Sequence, residues 1–279
     1  MTTPTVSVYL PTRNRSALVI EAAQSVLNQT FRDLELIIAD DASEDDTPQT
    51  LAKLAASDSR IKLVRAATQL GPSAIRNLAV DAARGELITG IDDDDLMLPR
   101  RINDLVNAAA RHDSLICTGF YVERDGRRRV FGSTERQITL NELFHYNIVG
   151  NQALVRRVQF MAIGGFDVNL PASEDYDLWT RVVDHCGTGF RINPISYIKR
   201  ELPCSGQITG TSNFAIGARK YAAKYFQRMS AAQRRSQRLI CRLSEGTPIR
   251  MREVFDLLTF ETSPMLMKRL IKQGLLGLK

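Results

Sequence analysis

The sequence predicts an α/β protein built on a parallel sheet with helices on both faces. Over the first ninety residues, short β-rich apolar runs alternate with segments patterned as helices of about a dozen residues. The apolar runs are followed by polar or acidic turns, and beyond about residue 112 the alternation stops, so the second half is built differently. The chain has 279 residues, 44% of them hydrophobic, enough for a sizeable core in one large domain or a domain with an appended module.

The first strand is "VSVYL" (Val6–Leu10), closed by Pro11. "SALVIEAAQSVLNQT" follows, with Ser16 as the expected N-cap and apolar residues at helical spacing. "LELIIAD" (Leu34–Asp40) is the second strand, and "DASEDDTPQTLAKLAA" a polar turn entering a helix. "IKLVR" (Ile61–Arg65) is the third strand, "GPSAIRNLAVDAA" a turn and helix, and "ELITGI" a fourth strand ending in "DDDD". A helix then runs from Pro99 to about Arg111, and "SLICTGFYVERDGRRRVF" reads as a hairpin around an Asp-Gly turn. "DYDLWTRVVDHC" places Leu178, Val182 and Cys186 along one helical face. From Gly206 the chain is helical and basic, interrupted at Gly246 and Pro248.

Charge is unevenly distributed. The net +6 conceals a C-terminal stretch from Gly206 with 14 Lys and Arg against four Asp and Glu, while the first 205 residues carry 23 against 27. The tail therefore suits an anionic partner. Four scattered cysteines (Cys117, Cys186, Cys204, Cys241) without a CxxC pair suit a reducing compartment and exclude a structural zinc ribbon. No run of about 18 apolar residues is present to span a membrane, and the first residues lack the pattern of a secretion signal. The expected location is cytoplasmic, with peripheral contact at the cytoplasmic face of an inner membrane.

Ligands of such sheets sit beyond the carboxyl ends of the strands. That edge holds Thr12–Asn14, Asp40–Asp41 and Asp92–Asp95. Four adjacent aspartates repel one another unless water, a donor or a cation compensates them. They are either a solvated loop or the holder of something positive. Two acidic clusters at one edge favour a hard divalent ion, which takes oxygen ligands from one or two carboxylates and substrate phosphates. Arg76 is the candidate partner of an anionic substrate, although alone it reads as a surface arginine on an amphipathic helix. Glu174, Asp175 and Asp177 crowd one helix start, where acids also complement the helix dipole. One of them is a candidate general base, with Trp179 on the other side of the helix as an apolar wall around a sugar ring.

Taken in order, "VSVYLPTRNR", "SVLNQTFRDLELIIADDASEDDT", "GPSAIRNLAVDAARGELITGIDDDD", "GNQALVRR" and "GGFDVNLPASEDYDLWTRV" resemble the family-2 glycosyltransferases of the GT-A fold, over roughly residues 5 to 200. The resemblance implies a Rossmann-like nucleotide-sugar-binding region (1–98), a smaller mixed acceptor and catalytic-base region of the same domain (99–205), and a basic helical extension (206–279). It implies an inverting transfer of one sugar from a UDP- or dTDP-sugar to a glycan or glycolipid acceptor, in polysaccharide or lipopolysaccharide assembly. Pro11, Thr12 and Arg13 would line the base and ribose pocket, Asp41 would bond the base, and Arg76 would lie near the nucleotide. Asp92 and Asp93 would face the ribose and ligand shell, Asp94 would ligate Mn2+ or Mg2+, Glu174 would join the substrate site, and Asp175 would be the catalytic base. Leu202 stands where many members carry a metal-binding histidine in R-x-H-x-x-S, and the Q-x-x-R-W element of processive synthases is absent.

Two other functions fit parts of the pattern. An aspartate-nucleophile phosphohydrolase also places D-x-D after a strand, but normally near the N-terminus and without work for Asp41 or Asp175. A non-catalytic sugar-nucleotide-binding module would need no base. In the tail, Ser263 caps a helix whose stripe of Met267, Leu270, Ile271, Gly274 and Leu278, beside Lys268, Arg269 and Lys272, suits an anionic membrane surface or packing on the body. Nucleic acid is not expected, because the basic residues lack interleaved stacking aromatics.

Overall fold

The computed structural model describes residues 3–150, 152–202 and 211–247. The predicted alternation is present: β1 (Val6–Thr12), α1 (Ser16–Leu27), β2 (Leu34–Asp40), α2 (Thr47–Ser57), β3 (Ile61–Arg65), α3 (Pro72–Asp81) and β4 (Leu87–Gly90). There follow β5 (Leu96–Met97), α4 (Arg101–Ala109), β6 (Ile116–Arg124), β7 (Arg127–Phe131), β8 (Arg136–Ile138), α5 (Leu140–Leu143), β9 (Val155–Arg156), α6 (Arg157–Ala162), α7 (Glu174–Cys186) and β10 (Gly189–Arg200). Two helices, α8 (Thr211–Tyr225) and α9 (Ala231–Ser244), close the described chain.

The first sheet has the order β3-β2-β1-β4-β9, parallel except for β9. Strands β1, β2 and β4 are buried on both faces, which explains their unbroken apolar runs, whereas the edge strand β3 is largely exposed. Val6, Val8 and Leu10 point to one face with Val19, Ala22, Val26 and Leu105. Tyr9, Ile37 and Ala39 point to the other with Ile75, Ala79 and Val80. From β1 the chain moves outward to β2 and β3, then returns to place β4 on the opposite side of β1. The carboxyl ends of β1 and β4 therefore flank the point where the winding reverses, where a crevice opens.

The second sheet is mixed, with the order β5-β10-β6-β7 and β8 paired to β10. The predicted hairpin is its β6–β7 arm, turned by Asp125 (φ 49°) and Gly126 (φ 71°), the left-handed pair that a type I′ turn requires. β4 belongs to the first sheet and β5 to the second, so the four aspartates are the seam between the two layers.

The α1 start differs from the sequence expectation. Arg15, not Ser16, is the N-cap, and its side chain bonds none of the helix amides, because a guanidinium carries only donors. Cys117, Cys186 and Cys241 are free thiols. Pro248 and the apolar stripe of residues 267–278 lie outside the described residues.

A close backbone approach fixes the strand that delivers the aspartates. A Cβ on Gly90 would overlap the Tyr9 ring and the Gln152 side-chain oxygen. Gly90→Ala is expected to cost about 1–3 kcal/mol through overpacking, read as a lower urea midpoint; an unchanged midpoint contradicts this packing.

Candidate active site

Two guanidinium groups organise the strand-end carboxylates. Arg76, carried by α3, donates from Nη2 to Asp92 Oδ1 (2.8 Å) and from Nη1 to Glu174 Oε1 (3.0 Å). Its side chain is only 13% exposed, so it is not the surface arginine of an amphipathic helix. Arg15 donates from Nη1 to Asp93 Oδ1 (2.6 Å) and Asp94 Oδ2 (3.2 Å). Thr12 Oγ1 donates to the other oxygen of Asp93 at 2.8 Å. The first pair joins the end of β4 to the start of α7; the second joins it to the β1–α1 loop.

The four aspartates have four different settings. Asp92 also accepts from Gln152 Nε2 (3.2 Å), whose Oε1 accepts from Tyr9 Oη (2.9 Å). Burial opposes its ionisation, but Arg76 outweighs it and holds the carboxyl below its ordinary range. Asp93 is pushed up to about 6, chiefly by burial, against the pull of Arg15 and Thr12. Asp94 is raised by burial and by the charge of Asp92. Asp95 is fully buried and structural: it accepts from Tyr197 Oη (2.8 Å) and from the Arg200 amide (2.9 Å), tying the run to β10.

Asp175 faces this cluster from the first turn of α7. Its Oδ1 accepts the Tyr176 amide (2.7 Å) and its Oδ2 accepts Asn147 Nδ2 (3.3 Å). Burial first and the neighbouring Glu174 charge second push it up to about 7. Asp177 does different work. It is fully buried and pairs with Arg181 (2.7 Å), Lys224 (2.8 Å) and Tyr225 Oη (2.8 Å), seating α8 on α7.

The remaining candidates are placed as follows. Pro11 and Arg13 flank Thr12 at the end of β1 and are half-buried, and the Arg13 Nε is buried with no hydrogen-bond partner among the described residues. Asp41 sits beside them through its amide bond to the Thr12 carbonyl (2.9 Å). Its carboxylate accepts the Leu70 (2.6 Å) and Gly71 (3.0 Å) amides and so anchors the loop that presents Arg76. Trp179 requires a correction. Four residues after Asp175, it lies on the same helical face rather than the opposite one. It is 1% exposed inside the core cluster with Leu178 and Val182, so the indole offers no wall to a sugar.

Sequence reading missed Arg15, Gln152, Asn147 and Lys199. Arg15 and Gln152 stand within the quoted motifs, in "PTRNR" and "GNQALVRR", but no local pattern marks Asn147 or Lys199. Lys199 is exposed to solvent yet lies in the field of Asp95, Asp92, Asp175 and Asp94, which outweigh the desolvation acting on it and raise its pKa.

The fit to a divalent cation is partial and specific. Among the described residues no three His, Cys, Asp or Glu side chains form a metal-holding group, and Leu202 is an exposed apolar residue. The protein therefore offers no closed cage. Asp94, 18% exposed and in the repulsive field of Asp92, would be the oxygen donor for a hard cation, and Arg15 Nη1 already contacts it at 3.2 Å. One or two carboxylates completed by ligand oxygens is the pattern such a site fits.

Comparison with known proteins agrees with this geometry. The family model "Glycosyl transferase family 2" matches residues 7–169, and "Glycosyltransferase like family 2" matches 132–227. The chain is 30% identical over 242 residues to the putative colanic acid biosynthesis glycosyl transferase WcaA of Escherichia coli, covering 84% of this chain and 86% of that one. It is 36% identical over 124 residues to the GalNAc(5)-diNAcBac-PP-undecaprenol beta-1,3-glucosyltransferase of Campylobacter jejuni, covering 44% of this chain and 40% of that one. Its fold matches Staphylococcus aureus TarS 1-349 in complex with UDP-GlcNAc, at a TM-score of 0.68 and 17% identity over 96% of this chain and 79% of that one. It also matches the Pyrobaculum calidifontis mannosyltransferase PcManGT in complex with GDP-Man and Mn2+, at a TM-score of 0.64 and 18% identity over 99% of this chain and 81% of that one. With its parallel nucleotide-binding-type sheet and acidic seam, the chain has the GT-A fold and belongs to family 2 of the glycosyltransferases.

Proposed function

We propose that this glycosyltransferase moves a single sugar, with inversion, from a UDP- or dTDP-sugar to a hydroxyl of a glycan or glycolipid acceptor. The observation that carries the reading is the Arg76 bridge. One guanidinium ties Asp92, at the end of β4, to Glu174, which stands next to Asp175. The fold is shared with proteins solved with UDP-GlcNAc and with GDP-Man. The lipid-diphosphate acceptor in the name of the Campylobacter relative supports a glycolipid, and the colanic acid relative supports a role in cell-surface polysaccharide assembly.

In this mechanism Pro11, Thr12 and Arg13 border the base and ribose, and Asp41 reaches the base from the neighbouring strand end. Asp92, Asp93 and Arg76 fix the ribose and diphosphate end of the donor. Asp175 takes the proton from the acceptor hydroxyl while that oxygen attacks the anomeric carbon, and the bond from that carbon to the phosphate oxygen breaks. The leaving group is the nucleoside diphosphate, and a single displacement needs no covalent enzyme intermediate. Asn147 and the Tyr176 amide hold the Asp175 oxygens toward the acceptor. A Mn2+ or Mg2+ ion held by Asp94 supplies, when bound, positive charge to the departing diphosphate.

The same reading places the enzyme in the cytoplasm, against the inner face of an anionic membrane. Helices α8 and α9 and their links (residues 211–247) carry eight Lys and Arg and one acid. Among the described residues no helix is long and apolar enough to cross a membrane.

Asp175→Asn is expected to lower kcat by about 10²- to 10⁴-fold while leaving donor affinity, measured by calorimetry, near wild type; unchanged turnover refutes the base. For the wild type, kcat/KM is expected to rise with pH through about 7, because Asp175 must be ionised to accept a proton. The stability sign is opposite: folded Asp175 holds its proton up to about 7 whereas the unfolded carboxyl releases it near 3.8, so this group's stabilising effect fades as pH rises between those values. Glu174→Gln removes the second cause of the shift and is expected to move the acid limb of the rate profile below 7. An acid limb that does not move separates Glu174 from the base. A thermal-shift panel of nucleotide sugars with Mn2+ is expected to single out the donor; equal response to all of them contradicts a specific donor pocket.

A further inference from the structure

The Asp93–Asp94 pair already has a cation. Arg15 Nη1 reaches both carboxylates, 2.6 Å from Asp93 and 3.2 Å from Asp94, with the guanidinium side chain 12% exposed. Arg15 is also the N-cap of α1 yet bonds none of its amides. A cation at the positive end of a helix is locally unfavourable, and arginine is not a capping side chain. The helix start therefore does not explain this residue, whereas the two carboxylates do.

We propose that Arg15 is the resident counter-ion of the Asp93–Asp94 pair, and that a divalent ion is held by Asp94 only by displacing the Arg15 guanidinium from it. The inference rests on the metal reading above and adds a competitor to it. Asp94 is the partner that yields. Its contact to Arg15 is the longer one, and its side chain is more open to solvent, 18% against 7% for Asp93. Asp93 keeps its second bond, from Thr12 (2.8 Å), so the inner carboxylate stays in place while the outer one changes partners. The arginine backbone is fixed by its amide bond to Thr47 Oγ1 (3.1 Å), so only the guanidinium has to swing. A nucleoside diphosphate arriving with the ion would give the displaced guanidinium an anionic partner in place of Asp94, beside the Asp93 contact that it keeps. Ion and nucleotide then strengthen each other's binding reciprocally.

The test is a Mn2+ titration of the full-length, donor-free protein followed by electron paramagnetic resonance, which reads occupancy rather than turnover. Removing a charge-assisted contact that competes with the ion is expected to tighten Mn2+ binding about ten- to a hundredfold in Arg15→Met, with Arg15→Lys between the variant and wild type. Arg13→Met makes the same charge change without touching Asp94 and is expected to shift affinity less than about threefold, the scale of a field effect alone. Equal tightening in Arg13→Met, or no tightening in either Arg15 variant while the wild type binds Mn2+, overturns the competition. Absence of Mn2+ binding in every protein, with or without UDP, overturns the metal reading and this inference together, and leaves donor cleavage to be scored separately.

Discussion

A guanidinium shared by two carboxylates from distant parts of the chain holds this structure's chemistry in one place. Arg76 joins Asp92, at the end of a strand of the first sheet, to Glu174, 82 residues later at the start of α7. Burying one cation and two anions is costly, and the attraction repays it only when the geometry is good and the remaining polar atoms are satisfied. Here the supporting contacts are present: Gln152 and Tyr9 complete the shell of Asp92, and Asp41 pins the loop that leads into α3. Without this bridge the strand-end aspartates and the candidate base would belong to two separate layers.

The run of four aspartates is therefore not one feature. Asp92 answers to Arg76, Asp93 to Arg15 and Thr12, and Asp95 to Tyr197 and the β10 backbone. Asp94 shares Arg15 with Asp93 at the longer distance of 3.2 Å, stays 18% exposed, and still lies in the repulsive field of Asp92. The repulsion inherent in the sequence is eased by three sets of partners: Arg76 at Asp92, Arg15 shared by Asp93 and Asp94, and Tyr197 with the β10 backbone at Asp95. The link between two sheets suits that arrangement, because backbone leaving one layer for another is free of either strand's alternation.

Much of this was legible in the sequence, for physical reasons that also mark where reading failed. β1, β2, β4 and the β6–β7 hairpin were visible because burial on both faces demands continuous apolar runs and Asp125–Gly126 meets a specific turn geometry. The edge that gathers Thr12, Asp41 and Asp92–Asp94 followed from the winding of a parallel sheet. The α1 cap was misread by one position: the helix begins at Ser16 itself, which makes Arg15 the flanking residue, and a local capping preference fixes an end only to about one residue. Trp179 was misread on two counts: four positions from Asp175 is the same helical face, and spacing does not show that the indole there is buried in the core. Lys199 and Asn147 left no mark at all; their importance comes only from what tertiary packing sets beside them.

The first turn of α7 couples the candidate base to the periphery of the molecule. Asp175 turns toward the crevice and Asp177, two positions on, turns toward Tyr225 and Lys224 of α8. Successive helical residues differ by about 100°, so these two side chains lock the rotation of α7 about its own axis from opposite sides. The angle at which the base meets an acceptor is thus set partly by how the basic C-terminal helices are seated, which gives a surface remote from the chemistry a mechanical hold on it.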